Sequence, residues 1–407
     1  MTRRGHARVL MYSHDTFGLG HLRRCRAIAH ALVERYSGIL VLIISGSPIA
    51  GAFDFRARVD FVKVPSVIKL HNGDYTSLDR HIDLSETLEM RRTMIHHLAE
   101  SFDPDLLVVD KEAMGLRGEL LSTLRMLKDR GTTLVLGLRE VMDAPDRLQS
   151  EWQRANMITH IDELYDHLWV YGPEDFWDPL TDLDVPASLR DRMTYTGYLD
   201  RTTKQAPTLA GQHLPEDYIL VSAGGGGDGA PLMHQVMAAL EHDRSLTIPT
   251  VMLLGPFMKT GEREQIHARA ASFPEVTVID FDNRAEAIMQ QATAVVSMCG
   301  YNTFCEILSY DKRALIVPRT HPRREQELRA VRAAELGIVD VLLPKEAEDP
   351  ATMASTLHAL RKRPRPSESG NTLSLDGLDV ICDLVGDHFA RERSQEQQAV
   401  QLVARTA

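Results

Sequence analysis

The sequence has few cysteines, no long apolar run and no excess of basic residues. Four cysteines occur in 407 residues, and none of them forms a Cys-x-x-Cys pair. This scarcity argues against a disulfide scaffold and against a cysteine zinc site, and it favours a reducing compartment. The longest apolar run, Ile39–Ile44, has the length of a strand and is far too short to span a bilayer.

The charge balance argues against a nucleic-acid ligand. The 46 Lys and Arg residues against 57 Asp and Glu residues leave a net charge of −11, whereas such binding needs a basic surface. The first apolar run breaks at Ser13-His14-Asp15, which does not fit a secretory signal. We therefore expect a cytoplasmic protein. Met90–Leu98 combines apolar and basic residues. We favour a helix that packs within the protein, and a helix that contacts the inner face of a membrane is the alternative.

Short apolar runs alternate with amphipathic stretches along most of the chain. This alternation predicts parallel sheets covered by helices on both faces. The predicted strands are Arg8–Ser13, Ile39–Ser45, Asp60–Pro65, Asp105–Asp110, Thr133–Leu138, Leu168–Tyr171, Tyr218–Ser222, Thr250–Leu254, Val276–Phe281, Ala294–Met298, Ala314–Val317 and Val339–Leu343. The helices predicted among them include His21–Tyr36, Glu86–Ser101, Gly118–Arg130 and Pro145–Tyr165. The predicted fold class is α/β, with two tandem doubly wound Rossmann-like domains that face a cleft.

The domain boundaries follow from breaks in this pattern. Asp200–Glu216 is polar, contains two prolines and lacks a helical period, which is typical of a linker. We therefore predict an N-terminal domain over 1–200, a C-terminal domain over 201–372, a helix over 373–393 and a polar tail over 394–407. Ligands of open α/β sheets bind at the carboxyl ends of strands, so the search for chemistry concentrates on the loops there.

The first such loop ends in Gly18-Leu19-Gly20-His21, directly before a helix. The glycines permit a tight turn and close approach of a ligand. A helix N-terminus disfavours imidazolium, so His21 suits the role of a general base. Asp110, at the end of another strand, is the favoured partner that orients it, and Asp15 is the alternative. A packing histidine is about equally well supported.

Three arginines follow on the same helix, at Arg23, Arg24 and Arg26. They indicate either a phosphate contact or a solvated helix face, and the solvated face is favoured. The loop does not match a dinucleotide fingerprint, because Arg23 stands where the third glycine would be.

The second loop is exceptionally rich in glycine. Tyr218–Ser222 is followed by Ala223-Gly224-Gly225-Gly226-Gly227-Asp228-Gly229, and a helix opens at Pro231. Bare backbone N–H groups beside a helix N-terminus suit a diphosphate. No Gly-Lys-Ser/Thr follows, which disfavours ATP or GTP hydrolysis. A purely structural turn is the weaker alternative.

Two more turns point toward the same cleft. The first contains Gly300, Asn302 and Thr303, and its helix carries Glu306, which suits either two ribose hydroxyls or the helix dipole. The second contains His321, and the residues Glu325 and Gln326 follow on a helix.

Together these residues resemble nucleotide-sugar glycosyltransferases of the glycosyltransferase-B fold, in particular the family of the N-acetylglucosaminyl transferase that completes lipid II in peptidoglycan synthesis. Gly225–Ala230 is similar to the family's donor diphosphate loop, with Gly227 in place of the usual serine. Ser297–Gln326 is similar to its donor segment, although Arg319–Pro322 adds bulk and charge. Gly18–His21 is similar to its amino-terminal loop, which serves the acceptor and the diphosphate.

The resemblance implies further roles. Phe281 and Asp282 would lie beside the nucleotide base, Glu306 would bind the ribose, and Leu373–Arg393 would cross back to the first domain. The implied donor site is Gly224, Gly225, Gly226, Gly227, Asp228, Gly229, Phe281, Asp282, Gly300, Asn302, Thr303, Glu306, His321, Glu325 and Gln326.

The implied activity is transfer of a sugar from a UDP-sugar, or another nucleotide-sugar, to an acceptor hydroxyl. His21 would deprotonate the hydroxyl of a sugar, lipid-linked or small-molecule acceptor in one inverting step, as in bacterial polysaccharide, glycolipid or cell-envelope synthesis. No cofactor and no metal are expected. Asp280-Phe281-Asp282 is an alternative site for a divalent ion, because two carboxylates end one strand.

Other functions stay open at this stage. Gly18–Cys25 also resembles the UDP-sugar hydrolase of pseudaminic acid synthesis, in which the histidine activates water. A UDP-sugar 2-epimerase of the same fold would need catalytic carboxylates that we cannot assign. A non-catalytic nucleotide-sugar sensor is the third alternative.

Overall fold

The computed structural model describes residues 6–14, 19–69, 75–77, 82–202 and 214–406. In the N-terminal half the strands are β1 (Ala7–Ser13), β2 (Ile39–Ser45), β3 (Val59–Lys63), β4 (Val67–Lys69), β5 (Tyr75–Ser77), β6 (Leu106–Asp110), β7 (Thr133–Arg139), β8 (His167–Tyr171) and β9 (Met193–Tyr195). Those of the C-terminal half are β10 (Ile219–Ser222), β11 (Thr250–Leu253), β12 (Val276–Ile279), β13 (Ala294–Ser297), β14 (Arg313–Ile316) and β15 (Asp340–Val341).

Helices cover both sheets. Those of the N-terminal half are α1 (Gly20–Arg35), α2 (Leu84–Phe102), α3 (Leu121–Asp129), α4 (Pro145–Arg154), α5 (Met157–Leu164) and α6 (Ala187–Arg190). The remaining helices are α7 (Ala230–His242), α8 (Thr260–Ala270), α9 (Ala285–Gln291), α10 (Tyr301–Ser309), α11 (Glu325–Glu335), α12 (Pro344–Ala347), α13 (Pro350–Leu360) and α14 (Gly377–Thr406). No helix in the described part of the chain has the length and apolar character needed to cross a membrane.

All of these strands except β4 and β5 form two parallel sheets of Rossmann type, which confirms the predicted fold class. The first sheet has the order β3-β2-β1-β6-β7-β8-β9, and the second has the order β12-β11-β10-β13-β14-β15. Their strands read as continuous apolar runs because helices cover both faces, and every residue of Leu106–Asp110 is buried. The direction of winding reverses between β1 and β6 and again between β10 and β13. The two glycine loops follow β1 and β10, so each lies at the point where this fold binds ligands.

Several predicted helix boundaries are wrong. The single helix predicted over Pro145–Tyr165 is two helices, α4 and α5, because Asn156 between them adopts a left-handed conformation with φ 48°. The helix predicted from Gly118 begins at Leu121, since Gly118 is left-handed, with φ 82°, and ends a short 3-10 turn. Periodicity does not register such single-residue breaks, because the hydrophobic pattern continues across them.

Two other regions differ from the sequence-based expectation. The polar segment Ile68–Ser85 contributes to an antiparallel hairpin of β4 and β5, in which Ile68 pairs with Thr76. Residues 70–74 and 78–81 of it lie outside the described part of the chain. The short strand β9 at the edge of the first sheet, paired with β8, was not predicted.

The last helix packs against the N-terminal domain. It begins at Gly377 and continues to Thr406, whereas the sequence predicts a helix over 373–393 and a tail after it. Arg35 of α1 pairs with Asp383 at 2.5 Å, and the Tyr36 hydroxyl donates to the carbonyl of Cys382 at 2.9 Å. The first turns of α14 thereby contact the first domain.

A buried ion pair joins the two domains. Arg329 of α11 donates to Glu140, which follows β7, at 2.6 Å, and both side chains are 0% exposed. Arg329 also donates to the carbonyl of Cys299, and the Tyr198 hydroxyl donates to Glu140. Removal of one partner from such a pair strands a charge in a medium of low dielectric constant.

We expect Arg329→Met to lower the free energy of unfolding by about 3–5 kcal/mol, because the Glu140 carboxylate loses its countercharge. Urea titration followed by circular dichroism measures the change. As a control, Arg361→Met removes the partner of Asp217 from an exposed pair, and we expect a change below about 1 kcal/mol. If Arg329→Met unfolds at the wild-type urea concentration, the buried pair does not stabilise the domain contact.

Candidate active site

A cleft of about 1650 Å³ lies between the two domains, and its lining includes Gly20 and His21 from the first loop and Gly224–Asp228 from the second. The predicted site residues that line it are Gly20, His21, Gly224, Gly225, Gly226, Gly227, Asp228, Phe281, Asp282, Gly300, Asn302, Thr303, His321, Glu325 and Gln326. Asp110, Gly229 and Glu306 are described by the structure but do not belong to this lining. Gly18 and Asp15 lie outside the described residues.

On the N-terminal side of the cleft, His21 contacts a buried carboxylate. Its Nδ1 is 2.5 Å from Oδ2 of Asp110, at the end of β6. The histidine side chain is 21% exposed and that of Asp110 is 1% exposed, so the imidazole faces the cleft and the carboxylate lies behind it. With Nδ1–H donating to Asp110, Nε2 keeps its lone pair for a proton from a ligand.

Arg24 holds the carboxylate in place. Its Nε and Nη2 donate to the two oxygens of Asp110 at 3.0 and 2.6 Å. Burial disfavours the charged carboxylate, but the Arg24 guanidinium and His21 outweigh it and hold the pKa of Asp110 well below its usual range. The interpretation of Arg24 as part of a solvated helix face is therefore wrong, because its side chain is only 2% exposed and is bonded to Asp110.

A second histidine, which the sequence analysis missed, packs beside the first. The ring of His14 meets that of His21 edge to face, with centroids 5.7 Å apart. Burial lowers the pKa of His14 to about 3, so this ring is neutral at physiological pH. It shapes the surroundings of His21 without adding a positive charge there.

On the opposite side, the glycine loop presents unpaired backbone donors. The N–H groups of Gly225 and Gly227 donate to no residue that the structure describes. Gly226 is left-handed, with φ +86°, and a Cβ there would lie 2.2 Å from the carbonyl oxygen of Leu254. Gly229 serves packing instead, because a Cβ on it would lie 2.0 Å from that of Ala223. The loop therefore needs glycine for its shape as well as for access.

The N-terminus of α10 lies beside the glycine loop, where Thr303 is close to Gly224. Gly300 is its N-cap and makes no side-chain cap, and a Cβ added to it would meet no heavy atom within 4 Å. Thr303 follows in the first turn and lies beside Gly224, where its hydroxyl is 4.0 Å from the point that a Cβ would take. The unpaired N–H groups and the positive end of the helix dipole suit an anion here.

Arg319 connects the glycine loop to α11. Its two Nη atoms donate to Asp228 at 2.7 Å and to Glu325 at 2.6 Å, and its backbone N–H donates to Gln326 at 3.1 Å. The added charge that separates this segment from the resembling family therefore bonds two predicted donor residues, and the Arg319 backbone bonds a third.

The structure does not bring Glu306 to the cleft surface. Its carboxylate pairs with Arg23 of the other domain, and that guanidinium also donates to Glu286 at 2.7 Å. Burial raises the pKa of Glu306. Burial also disfavours the ionised form of Glu286, but Arg23 and Arg26 outweigh it and lower the pKa to about 2. Glu286, which the sequence analysis missed, lines the cleft.

Asp280 and Asp282, the two aspartates of the alternative metal site, have different surroundings. Phe281 and Asp282 line the cleft, whereas Asp280 is 2.7 Å from His267 and 3.3 Å from Arg263 of α8. Asp280 is therefore bonded to side chains of α8, whereas Asp282 belongs to the cleft lining. Over the described ranges, no group of three or more His, Cys, Asp or Glu residues could hold a metal ion.

Two residues beyond the predicted set also belong to the cleft. Gly255 is left-handed, with φ +92°, and a Cβ there would lie 2.5 Å from the carbonyl oxygen of Gly224. A glycine two residues after the end of β11 was the signal for this contact. Arg139, at the end of β7, also lines the cleft. Its position could have been inferred only from the order of strands in the sheet, in which β7 lies next to β6.

Two Rossmann-like domains with a shared cleft define the glycosyltransferase-B fold. Residues 220–374 match the family model described as the glycosyltransferase family 28 C-terminal domain. This match covers the second sheet and supports glycosyl transfer as the activity. The predicted resemblance to nucleotide-sugar glycosyltransferases is confirmed. No curated protein matches the sequence significantly.

Solved structures with the same fold have distant sequences. MurG of Acinetobacter baumannii is 13% identical with a TM-score of 0.55, over 94% of this chain and 99% of that one. UGT71G1 of Medicago truncatula, complexed with UDP-glucose, is 13% identical with a TM-score of 0.61, over 94% and 98%. A Listeria monocytogenes protein described as a UDP-N-acetylglucosamine 2-epimerase is 12% identical with a TM-score of 0.61, over 95% and 97%. At these identities the similarity establishes the fold alone.

Proposed function

We propose that the protein transfers a sugar from a UDP-sugar to the hydroxyl of an acceptor, with inversion at the anomeric carbon. The observation that carries this proposal is the His21–Asp110 contact of 2.5 Å, at the cleft and opposite a loop of unpaired backbone donors. A base and an anion site that face each other across one cleft suit attack by an activated hydroxyl and departure of a diphosphate.

The donor binds in the C-terminal domain. The N–H groups of Gly225 and Gly227 and the N-terminus of α10 hold the diphosphate, while Phe281 and Asp282 contact the base. Binding of the ribose by Glu306 stays a prediction. The Glu306 carboxylate is paired with Arg23, so it reaches a ribose only after Arg23 moves away.

The acceptor binds in the N-terminal domain. Nε2 of His21 accepts the proton of the acceptor hydroxyl, and the imidazolium that forms is stabilised by Asp110 through Nδ1–H. The acceptor oxygen forms a bond to the anomeric carbon as the bond from that carbon to the donor phosphate oxygen breaks. The electron pair of the broken bond leaves with UDP, whose added charge is stabilised by backbone N–H groups. We therefore propose that no metal is needed.

An assay for released UDP and free sugar, run in EDTA, tests the proposal. We expect UDP-sugar to raise the melting temperature of the protein, and an acceptor to increase UDP release without an equal amount of free sugar. Free sugar equal to UDP in the absence of acceptor would identify a hydrolase instead. Activity that returns only with a divalent cation would contradict the metal-free step, and binding without turnover over a panel of donors and acceptors would indicate a sensor.

A further inference from the structure

Arg139 is a cleft residue whose guanidinium has no protein partner among the described residues. It is the last residue of buried β7 and lines the cleft. Its Nε is shielded from solvent and donates no hydrogen bond, and neither Nη group donates one to a described residue. The side chain as a whole is partly exposed. Buried polar groups in folded proteins are nearly always paired, so the unpaired Nε in this cleft points to a partner that a ligand supplies.

The neighbouring arginines differ from Arg139 in this respect. Arg24 is bonded to Asp110 at 2.6 Å, and Arg329 is bonded to Glu140 at 2.6 Å. Both repel Arg139, and burial together with this repulsion lowers the pKa of Arg139 to about 10. The side chain is therefore still charged near neutral pH. Of these three clustered cations, Arg139 alone has no carboxylate bonded to it among the described residues.

Two carboxylates, Glu325 and Glu140, lie near enough to attract Arg139, and Glu140 is already bonded to Arg329. Glu325 raises the pKa of the guanidinium by its charge, but its Oε1 accepts from Arg319 at 2.6 Å and its Oε2 has no partner among the described residues. No ion pair forms between Glu325 and Arg139. Glu325 therefore attracts Arg139 without accepting a hydrogen bond from any of the five N–H donors of its side chain.

The position of Arg139 relates it to the acceptor. Asp110 pairs with Gly137 in the register of β6 and β7, so Arg139 stands two residues further along the adjacent strand, at the same edge of the sheet. It belongs to the N-terminal domain, opposite the glycine loop. Arg147 and Arg154 of α4 also line the cleft on this side and add positive charge.

We propose that Arg139 binds an oxyanion of the acceptor, a phosphate or a carboxylate, and thereby selects anionic acceptors. This inference rests on the proposed function, because it takes the N-terminal domain as the acceptor side. Arg presents a planar fork of donors that matches both oxyanions in a bidentate manner. The hydroxyl of such an acceptor reaches His21 while its anionic group is held at Arg139.

Matched probes test the charge of the acceptor. N-acetylglucosamine 1-phosphate is compared with N-acetylglucosamine, and glucuronic acid with glucose, by calorimetry on the full chain with and without saturating UDP. We expect the anionic member of at least one pair to bind about ten- to a hundredfold more tightly, which corresponds to a charge-assisted hydrogen bond. The pair that responds distinguishes phosphate from carboxylate.

Variants then assign the preference to one residue. We expect Arg139→Gln to abolish it, Arg139→Lys to keep part of it, and both to bind UDP as the wild type does. Arg125→Gln, which removes a charge from an exposed position of α3, controls for net charge and leaves the preference intact. Melting temperatures of all variants, with and without UDP, report whether each is folded.

The outcomes separate this inference from the proposed function. Equal binding of anionic and neutral probes by the wild type overturns the role of Arg139, and so does an Arg139→Gln variant that loses UDP affinity instead. If anionic probes bind through Arg139 but UDP does not bind the wild type, the anion site stands and the proposed glycosyl transfer fails.

Discussion

Replacement of His21 by alanine is expected to lower the turnover number by about 10²- to 10⁴-fold, the usual contribution of a general base. The affinity for UDP-sugar is expected to stay within about twofold, because the donor contacts lie on the other domain. Without Nε2 near the acceptor oxygen, the hydroxyl attacks while still protonated. Steady-state kinetics gives the turnover number, and calorimetry with UDP gives the donor affinity.

The matched control is His358→Ala. His358 pairs with Asp243 at 2.9 Å and is 47% exposed, outside the cleft, so its loss should leave turnover unchanged. A His21→Ala variant that loses donor affinity but keeps its turnover number would remove the base from the mechanism. The geometry favours a loss of turnover with donor affinity retained, since Asp110 bonds the imidazole and Arg24 holds Asp110 in place.

Replacement of Gly226 by alanine is expected to weaken UDP binding by at least about tenfold. A left-handed alanine costs of the order of 1–3 kcal/mol, and its Cβ would lie 2.2 Å from the carbonyl oxygen of Leu254. That oxygen belongs to the backbone, so the clash is relieved only by moving the loop. The N–H groups of Gly225 and Gly227 then no longer converge on the diphosphate.

Gly261→Ala is the control for this substitution. Gly261 lies in the first turn of α8, has no heavy atom within 4 Å of its Cβ position and is not left-handed. Its replacement should leave both UDP affinity and melting temperature close to wild type. The diphosphate does not bind at the glycine loop if Gly226→Ala, shown to be folded by its melting temperature, retains wild-type UDP affinity.

Most strands and both glycine loops were predictable because their signals are local. The run Ile39–Ser45 was predicted with the observed bounds, since a strand covered on both faces needs an unbroken apolar segment. Asp110 was the favoured partner of His21, with Asp15 as the alternative, because Asp110 ends a strand and the carboxyl ends of parallel strands meet at one edge. Glycine positions such as Gly226 follow from the backbone conformations that only this residue adopts easily.

The partners of the charged residues were not predictable in the same way. Arg23 and Glu306 are separated by 283 positions, and the sequence pattern assigned one to a helix face and the other to a ribose. Nothing in the sequence indicates that Arg139 lacks a carboxylate partner among the described residues. The break at Asn156 depends on a single backbone conformation, which hydrophobic periodicity does not record.

By itself, the sequence determined the succession of strands and helices, the two glycine turns and the histidine at the start of α1. These follow from side-chain periodicity and backbone freedom, which act between residues close together in the chain. Only the tertiary structure decided which carboxylate each arginine bonds, which glutamate faces the cleft and which cleft guanidinium has no bonded carboxylate among the described residues. Those choices depend on the packing of two domains, where burial makes each unpaired charge costly and so dictates the pairing.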